Sequence, residues 1–471
     1  MNDKELIVCV NSLIQNYKSN RVKLTDNHVE QRDFYLFLMF WYLHEINENT
    51  VCGDQLNSES YDKFYDCLVS VKSKCSAAHS LYQAVDAVML KLAHFYRDAL
   101  PEFVKESNKG FTEVFSGKSS DSFDVDTSMA LYQRLLHRLQ SMNPIDHFTI
   151  DESEYQEIPQ DFIELISRLD TANERSTKTA YFPYETVGEQ CVYFAKRNPD
   201  YHLRIECMLT SPHLMRMLAL ADANSVELTF SNSLSPSTSI KANRFDFAYT
   251  LLQPQSVNEK IKVEGEKEKK YIPIQGHFNP KRLNPESVPA RYKEYGYLQH
   301  TLWTLNKHGV AYMVMGKGLL FRDIEAQARE ILVKTNAIDS IIQLPPNLMS
   351  FCPLPLIMII LKKTKPTTDI LYIDATEGFT VDASRNRFSG FEKIVDIFTR
   401  RQIISGVSVE VSPEEIKANK YSLNPQNYLV GQGNIKESID QLNTEQQQLA
   451  ELLRKKRSSI DNLFKQLSKK G

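Results

Sequence analysis

Cysteine is scarce in this sequence and shows no pairing pattern. Seven residues, at 9, 52, 67, 75, 191, 207 and 352, form no C-x-x-C pair and are odd in number. This argues against a disulfide framework or a thiolate zinc site and predicts free thiols in a reducing, cytoplasmic setting. Histidine is no more promising as a ligand: His277, His300 and His308 are scattered rather than set at ligand spacing, so no metal centre is expected. Long hydrophobic runs are missing too. The most apolar segment, Leu354 to Leu361, has the length of a buried strand and cannot span a bilayer. Leu6 to Val10 is too brief for the core of a signal peptide. Neither sign of charge dominates, with 56 Lys and Arg against 59 Asp and Glu and a net charge of −3. No global basic field therefore announces nucleic acid, and any such contact needs a local patch or a partner. No phosphate-binding loop or helicase motif is present, which excludes a motor ATPase.

What is present is an ordinary globular composition. The 471 residues are 42% hydrophobic and 24% charged, enough for two or three domains with sizeable cores. Residues 1 to about 145 have helical periodicity. The run Phe34 to Leu43 is apolar all round and predicts a buried helix, and further helices are expected at Ser80–Tyr96 and Ser128–Ser141. From about 150 to 400, short β-branched runs alternate with helical ones, the pattern of βαβ units around a mostly parallel sheet. The clearest strands are Val310–Met315, Ile338–Gln343, Leu356–Leu361 and Ile370–Ile373, with a helix at Arg322–Thr335. A charged stretch from Asn258 through Glu268 to Tyr295 interrupts this pattern with Lys260, Lys262, Lys267, Lys269, Lys270, Lys281 and Arg282. It reads either as a solvated loop or as a DNA-facing one whose cations neutralise phosphates.

The last forty residues change texture again. Ile435, Ile439, Leu442, Leu449, Leu453, Ile460, Leu463 and Leu467 recur in alternating steps of four and three, with Gln446 and Lys456 completing the seam after a Gly431, Gly433 hinge. This heptad pattern predicts a C-terminal coiled-coil helix. A single apolar seam needs a partner, either the chain's own domain or, as preferred here, another subunit. The expected organisation is a helical interaction domain over 1–145, an α/β domain over 146–430 and a docking helix over 431–471.

Several stretches together resemble one family. These are Tyr297 to Leu305, Gly318-Leu319-Leu320-Phe321-Arg322, Ile338 to Leu348 with its Leu344-Pro345-Pro346-Asn347, Leu371 to Ala375, and Tyr421-Ser422-Leu423-Asn424-Pro425. They are similar to segments of the modification subunits of type I restriction–modification systems, a DNA adenine-N6 methyltransferase family. The resemblance covers nearly the whole chain. It implies a class I methyltransferase-like, Rossmann-like doubly wound sheet, S-adenosylmethionine as cofactor, adenine in DNA as substrate, and partner subunits.

Set against that family, the chemical motifs are degraded. The family's cofactor turn, D-P-A-C-G-S-G-G-F-L, corresponds to Phe182 through Cys191, where Pro183 and Gly188 match, Phe182 replaces the Asp, and Thr186 and Glu189 replace two glycines. Glycine there permits close backbone approach, whereas a β-branched or charged residue fills the space. Glu206, in Leu203-Arg204-Ile205-Glu206, stands where the family carries its ribose-binding acid, although an ordinary Glu at a strand end would look the same. Asn232 stands at the next acidic position. The base clamp Asn-Pro-Pro-Phe falls on Leu251, Leu252, Gln253 and Pro254. Leucine accepts no hydrogen bond from an adenine amine and proline offers little stacking face. An exocyclic amine left unpaired in a dry pocket costs roughly 1–3 kcal/mol. The sequence therefore predicts no catalytic residues, vestigial cofactor positions at Pro183, Gly188, Glu206 and Asn232, and no bound cofactor. Its function is then that of a pseudoenzyme subunit working with a specificity subunit, an active methyltransferase-like subunit, or both, on DNA. Two other readings stand beside it: an active adenine methyltransferase using S-adenosylmethionine, and a regulatory module that uses the old cleft for another ligand.

Overall fold

The computed structural model describes residues 3–19, 28–48, 65–66, 69, 80–85, 93, 96–116, 124–140, 159–170, 178–185, 189–207, 212–223, 225–235, 240–252, 260–262, 269–271, 284, 287–289, 292–349, 354–381 and 385–429. The predicted C-terminal coiled coil at 431–471 and the boundary between 145 and 146 lie outside them.

The N-terminal third is helical: α1 (Asp3–Ser19), α2 (His28–Glu48), α3 (Ser80–Ala84), α4 (Leu100–Phe115) and α5 (Val125–Gln140). Every residue from Phe34 to Phe40 on α2 is completely buried, as its all-round apolar sequence requires. Gly110 on α4 marks a close approach, since a Cβ there would overlap the side chain of Asn16 on α1. That side chain is held by Tyr35, whose hydroxyl donates to Asn16 Oδ1 at 2.8 Å. The helix expected over Ser80–Tyr96 is shorter among the described residues, for α3 ends at Ala84 and Tyr96 lies in a turn.

Nine strands form the central sheet, in the order β13-β10-β8-β9-β7-β4-β1-β2-β3. They are β1 (Thr179–Glu185), β2 (His202–Cys207), β3 (Val226–Phe230), β4 (Phe245–Leu252), β7 (Leu305–Gly316), β8 (Ile338–Gln343), β9 (Leu356–Lys362), β10 (Ile370–Asp374) and β13 (Ser408–Val411). Five pairings are parallel. β9 runs antiparallel to β7 and β8, and β13 antiparallel to β10. The mostly parallel sheet expected from the alternating pattern is thus observed, and β8 spans the residues predicted for it. Two further ribbons stand apart, β5 (Lys260–Lys262) with β6 (Lys269–Tyr271) and β11 (Phe379–Val381) with β12 (Asn386–Phe388).

Helices cover both faces. α6 (Asp161–Leu169), α7 (Glu189–Arg197), α8 (Pro212–Leu220) and α11 (Phe391–Arg400) share one hydrophobic core with the N-terminal helices. α9 (Glu294–Thr304), α10 (Ala326–Lys334), α12 (Pro413–Ala418) and α13 (Gln426–Leu429) cover the other face. The helix predicted from Arg322 begins only at Ala326. Arg322 is extended (φ −60°, ψ 127°), and its side chain ties Glu325 and Glu294 while its carbonyl accepts from Arg329. Among the described residues no helix is long and apolar enough to cross a membrane.

A polar cluster joins the helical region to the sheet. Arg216 on α8 is fully buried. It donates to the Tyr132 hydroxyl of α5 at 3.1 Å and lies 5.6 Å from the Phe37 ring of α2. The same hydroxyl is 2.9 Å from His213 Nδ1. Burial, reinforced by the charges of Arg216 and Arg32, pushes the His213 pKa well below its ordinary value. Asp33, 3.9 Å away, is too distant to reverse this. The folded state therefore resists a proton that the unfolded chain accepts near pH 6.5, and stability falls as pH drops below that value. Between pH 7.5 and 5.5 the wild type should lose about 1.4 kcal/mol more than His213→Gln, read from urea unfolding at the two pH values. Parallel losses in the two proteins would show that His213 does not carry this term.

Candidate functional site

In a doubly wound sheet the ligand crevice lies outside the carboxyl ends of the strands where the order reverses. Here that point is β1, which has β2 on one side and β4 on the other. The carboxyl ends of β1, β2, β3 and β4 bring together the candidate residues.

The end of β1 differs from the sequence expectation. The strand continues three residues beyond Phe182, to Glu185. Phe182 and Pro183 are thus buried strand residues rather than the start of a turn. Pro183 has no N–H for a ladder, and the β1–β2 register shifts between Phe182 and Glu185, where such a residue is tolerated. Only residues 186–188, including Gly188, separate β1 from α7, and they lie outside the described residues. The acid that ends the strand is Glu185, buried at 6% exposure. Sequence matching passed over it, although an acid closing an apolar run was a visible signal.

Glu185 sits among side chains that its charge and their burial perturb. Burial first, and the Glu185 charge second, push the Cys191 and Cys207 thiols and the Tyr249 phenol well above their ordinary pKa values. Neither thiol is therefore a thiolate nucleophile. In the first turn of α7, Gln190 donates to the Pro159 carbonyl at 3.1 Å and accepts from Tyr249 at 3.4 Å.

Glu206 lies one residue from the end of β2 and is 1% exposed. Its Oε2 accepts from the Tyr181 hydroxyl at 2.6 Å and its Oε1 from Ser231 at 3.3 Å. His300 Nε2, from α9, lies 2.8 Å from the same Tyr181 oxygen. A hydroxyl has one proton, and Tyr181 gives it to Glu206, so His300 donates through Nε2–H. Tyr181 also stacks on Phe245 with centroids 4.8 Å apart. Asn232, in the turn after β3, accepts from its own Leu234 N–H at 2.9 Å. Glu206 and Asn232 thus reach the same end of the sheet, each with an internal partner.

The base-clamp positions begin inside β4. Leu251 pairs with Val314 and Leu252 with Met315. Their exposures are 6% and 1%, and they enter the cores on opposite faces of the sheet. Gln253 and Pro254 lie outside the described residues. Among those residues, no group of three or more His, Cys, Asp or Glu is placed to hold a metal.

Fold and crevice together define a class I methyltransferase-type α/β domain joined to a helical bundle. Residues 217–437 match the N-6 DNA methylase family. A type I restriction enzyme methylase subunit of Mycoplasma pneumoniae, MpnII, is 31% identical over 157 residues, 32% of this chain and 29% of that one. The MjaVII methylase subunit of Methanocaldococcus jannaschii is 30% identical over 185 residues, 37% of this chain and 31% of that one. The matched stretches therefore span about a third of each relative's length. In structure, the type I methyltransferase subunit of Streptococcus thermophilus superposes with a TM-score of 0.63 at 16% identity, covering 91% of this chain and 99% of that one. A modification subunit of a type I restriction enzyme from Vibrio vulnificus gives 0.60 at 16% identity, over 88% and 93%. The resemblance to type I methylase subunits is thereby borne out, and the fold is theirs from the helical region through the sheet.

Removing the Tyr181 hydroxyl would strip a buried carboxylate of its shortest hydrogen bond. Tyr181→Phe should destabilise the protein by about 1–3 kcal/mol, measured by denaturant unfolding. A change under about 0.5 kcal/mol would mean that Glu206 is satisfied in some other way.

Proposed function

We propose that this chain is a non-catalytic, methyltransferase-like modification subunit of a type I restriction–modification or related DNA-defence complex. It holds no S-adenosylmethionine and acts in assembly and DNA binding. Its partners are a specificity subunit, a second and active methyltransferase-like subunit, or both. The observation that carries this reading is the burial of Leu251 and Leu252 in β4. Groups enclosed on both faces of a sheet cannot hold a flipped base, whose recognition needs polar acceptors and a stacking face in an open pocket. The engagement of Glu206 by Tyr181 and Ser231 supports it further, because a ribose would have to displace those donors. On this reading residues 1–145 are the interaction domain and 431–471 dock on a partner.

The presence of an acid at the end of β2 favours the alternative, an active adenine-N6 methyltransferase. Titration calorimetry of the purified chain with S-adenosylmethionine separates the two. No heat of binding is expected at ligand concentrations well above micromolar, and micromolar binding would revive the active enzyme. The fourfold variant Leu251→Asn, Leu252→Pro, Gln253→Pro, Pro254→Phe should still transfer no methyl group to DNA, since the cofactor side stays unbuilt. Measurable transfer would count against an inactive cofactor site. Truncation after Val430 should leave a folded chain that no longer co-purifies with its partner subunits, whereas an intact complex would rule out docking through the C-terminal helix.

A further inference from the structure

At the end of the sheet away from the crevice, the amino ends of β4 and β7 and the carboxyl end of antiparallel β9 lie side by side. The β4–β7 ladder is broken there. Phe245 pairs with Leu305 and Phe247 with Val310. One residue of β4, Asp246, therefore faces four of β7, namely Asn306, Lys307, His308 and Gly309. A bulge of this kind lifts residues out of the ladder and re-aims their side chains, and Lys307 and His308 are exposed. The bulge is held in place by its neighbours. Asn306 donates to the Asp246 carboxylate and accepts from the His308 N–H at 3.0 Å. A Cβ at Gly309 would stand 2.5 Å from the Phe245 carbonyl oxygen, so the close approach requires glycine. Lys363, just beyond β9, donates to Asn243 Oδ1 at 2.6 Å, to the Trp303 carbonyl at 3.2 Å and to the Leu305 carbonyl. It fastens the turn before β4 to the end of α9.

Charge on this edge is one-sided. Lys241 and Arg244, in the turn before β4, are exposed like Lys307. Among the described residues none of these three side chains has a hydrogen bond or an ion pair. Asp246 is the single carboxylate in residues 240–246, 302–310 and 362–365. It is 6% exposed and accepts from the Thr179 N–H and hydroxyl, both at 3.1 Å. Asp200, between α7 and β2, is taken up by Lys178 at 2.8 Å. Beside the cations stand Leu302 and Trp303, half-buried at the end of α9. The Asn243 N–H donates to the Trp303 carbonyl at 3.2 Å and the Arg244 N–H to the Thr304 carbonyl at 2.7 Å, so cations and tryptophan share one surface. Arginine and tryptophan are among the residues that dominate protein–protein binding energies. The crevice is remote from them. Phe245 and Leu252 mark the two ends of β4, ~23 Å apart at ~3.3 Å per residue. That is about three Debye lengths at physiological salt, so a ligand held in the crevice does not neutralise these cations.

We infer that this bulged edge, with Lys241, Arg244, Lys307 and Trp303, is a docking surface for an acidic face of a protein partner. The inference rests on the reading that the chain works in a complex, and it names a surface and a partner chemistry for that role. Opposite charge across the contact would set orientation and speed association, while Trp303 supplies the apolar anchor.

The probe is a fluorescein-labelled decaglutamate peptide, followed by anisotropy with the purified full chain at ~50 and ~200 mM salt, where screening differs. The wild type should bind at the lower salt and more weakly at the higher. An exposed ion pair is worth a factor of about two to five. The triple variant Lys241→Gln, Arg244→Gln, Lys307→Gln should therefore bind about tenfold more weakly or worse. A control triple variant, Lys4→Gln, Lys105→Gln, Lys109→Gln, removes the same charge from exposed positions of the helical region and should bind as the wild type does. Thermal melting of each variant checks that it is folded. Peptide binding should also change the fluorescence of Trp303, and Trp303→Phe should abolish that change, since the other tryptophan, Trp41, is buried. Absence of wild-type binding at ~50 mM salt, an unweakened triple variant, or equal weakening in the control would overturn the assignment. A fluorescence change that survives Trp303→Phe would place the peptide elsewhere and overturn it too. Duplex DNA that binds more tightly than the peptide and loses its affinity in the same triple variant would overturn the choice of a protein. None of these measurements involves S-adenosylmethionine or the C-terminal segment, so their failure leaves the calorimetric and truncation results standing.

Discussion

A strand in the middle of a parallel sheet must complete its hydrogen bonds on both edges and find apolar cover on both faces. β4 meets both demands, and the rest of the α/β region is arranged around it. Its residues Phe247 to Leu252 pair one for one with Val310 to Met315 of β7, and on its other edge Phe247 and Ala248 pair with Ala180 and Tyr181 of β1. Because β1 also pairs with β2, β4 and β1 form the pivot where the strand order reverses. The same completeness commits Leu251 and Leu252 to the interior. An active site at this point would have to release the chain from the ladder to present polar groups, and here the ladder holds both leucines.

The second constraint concerns charge. A carboxylate removed from water must find donors or change its protonation state. Glu206 finds two hydroxyl donors, one on β1 and one beyond β3, and the Tyr181 hydroxyl is held in turn by His300 of α9. The acid thereby ties three consecutive strands to the helix above them. A group that would serve a ligand in an open crevice serves here as an internal fastening. An acid near the end of β2 thus has a structural role of its own. Its removal would take away the acceptor of the buried Tyr181 hydroxyl.

Much of the architecture was legible in the sequence, because strand interiors buried on both faces read as continuous apolar runs. Leu356–Leu361 shows this, as does the all-apolar Phe34–Phe40 stretch of α2. The end of β1 was not legible. Pro183 matched a motif in its letter, but a proline can also sit where a ladder breaks, and no local signal distinguishes the two. The partners of Glu206 were hidden for a different reason. Tyr181 and His300 are separated from it by 25 and 94 positions, and only the strand order and the placement of α9 bring them together. Side-chain satisfaction at long range is a property of topology, which periodicity does not encode.

The helical region bears on what such a molecule is for. Its core is continuous with one face of the sheet, from Leu6 on α1 through Phe37 on α2 to Phe182 and Phe247. At the junction the buried Arg216 guanidinium of α8 donates to the Tyr132 hydroxyl of α5, which also lies 2.9 Å from the His213 imidazole. Junctions of this kind are demanding, since each polar group there must keep its partner or carry a desolvation cost. The Arg216, Tyr132 and His213 contacts fix how the helical region is held against the sheet. On the reading proposed above, the constraint on this chain is the shape it presents to its partners rather than a reaction at the end of β4.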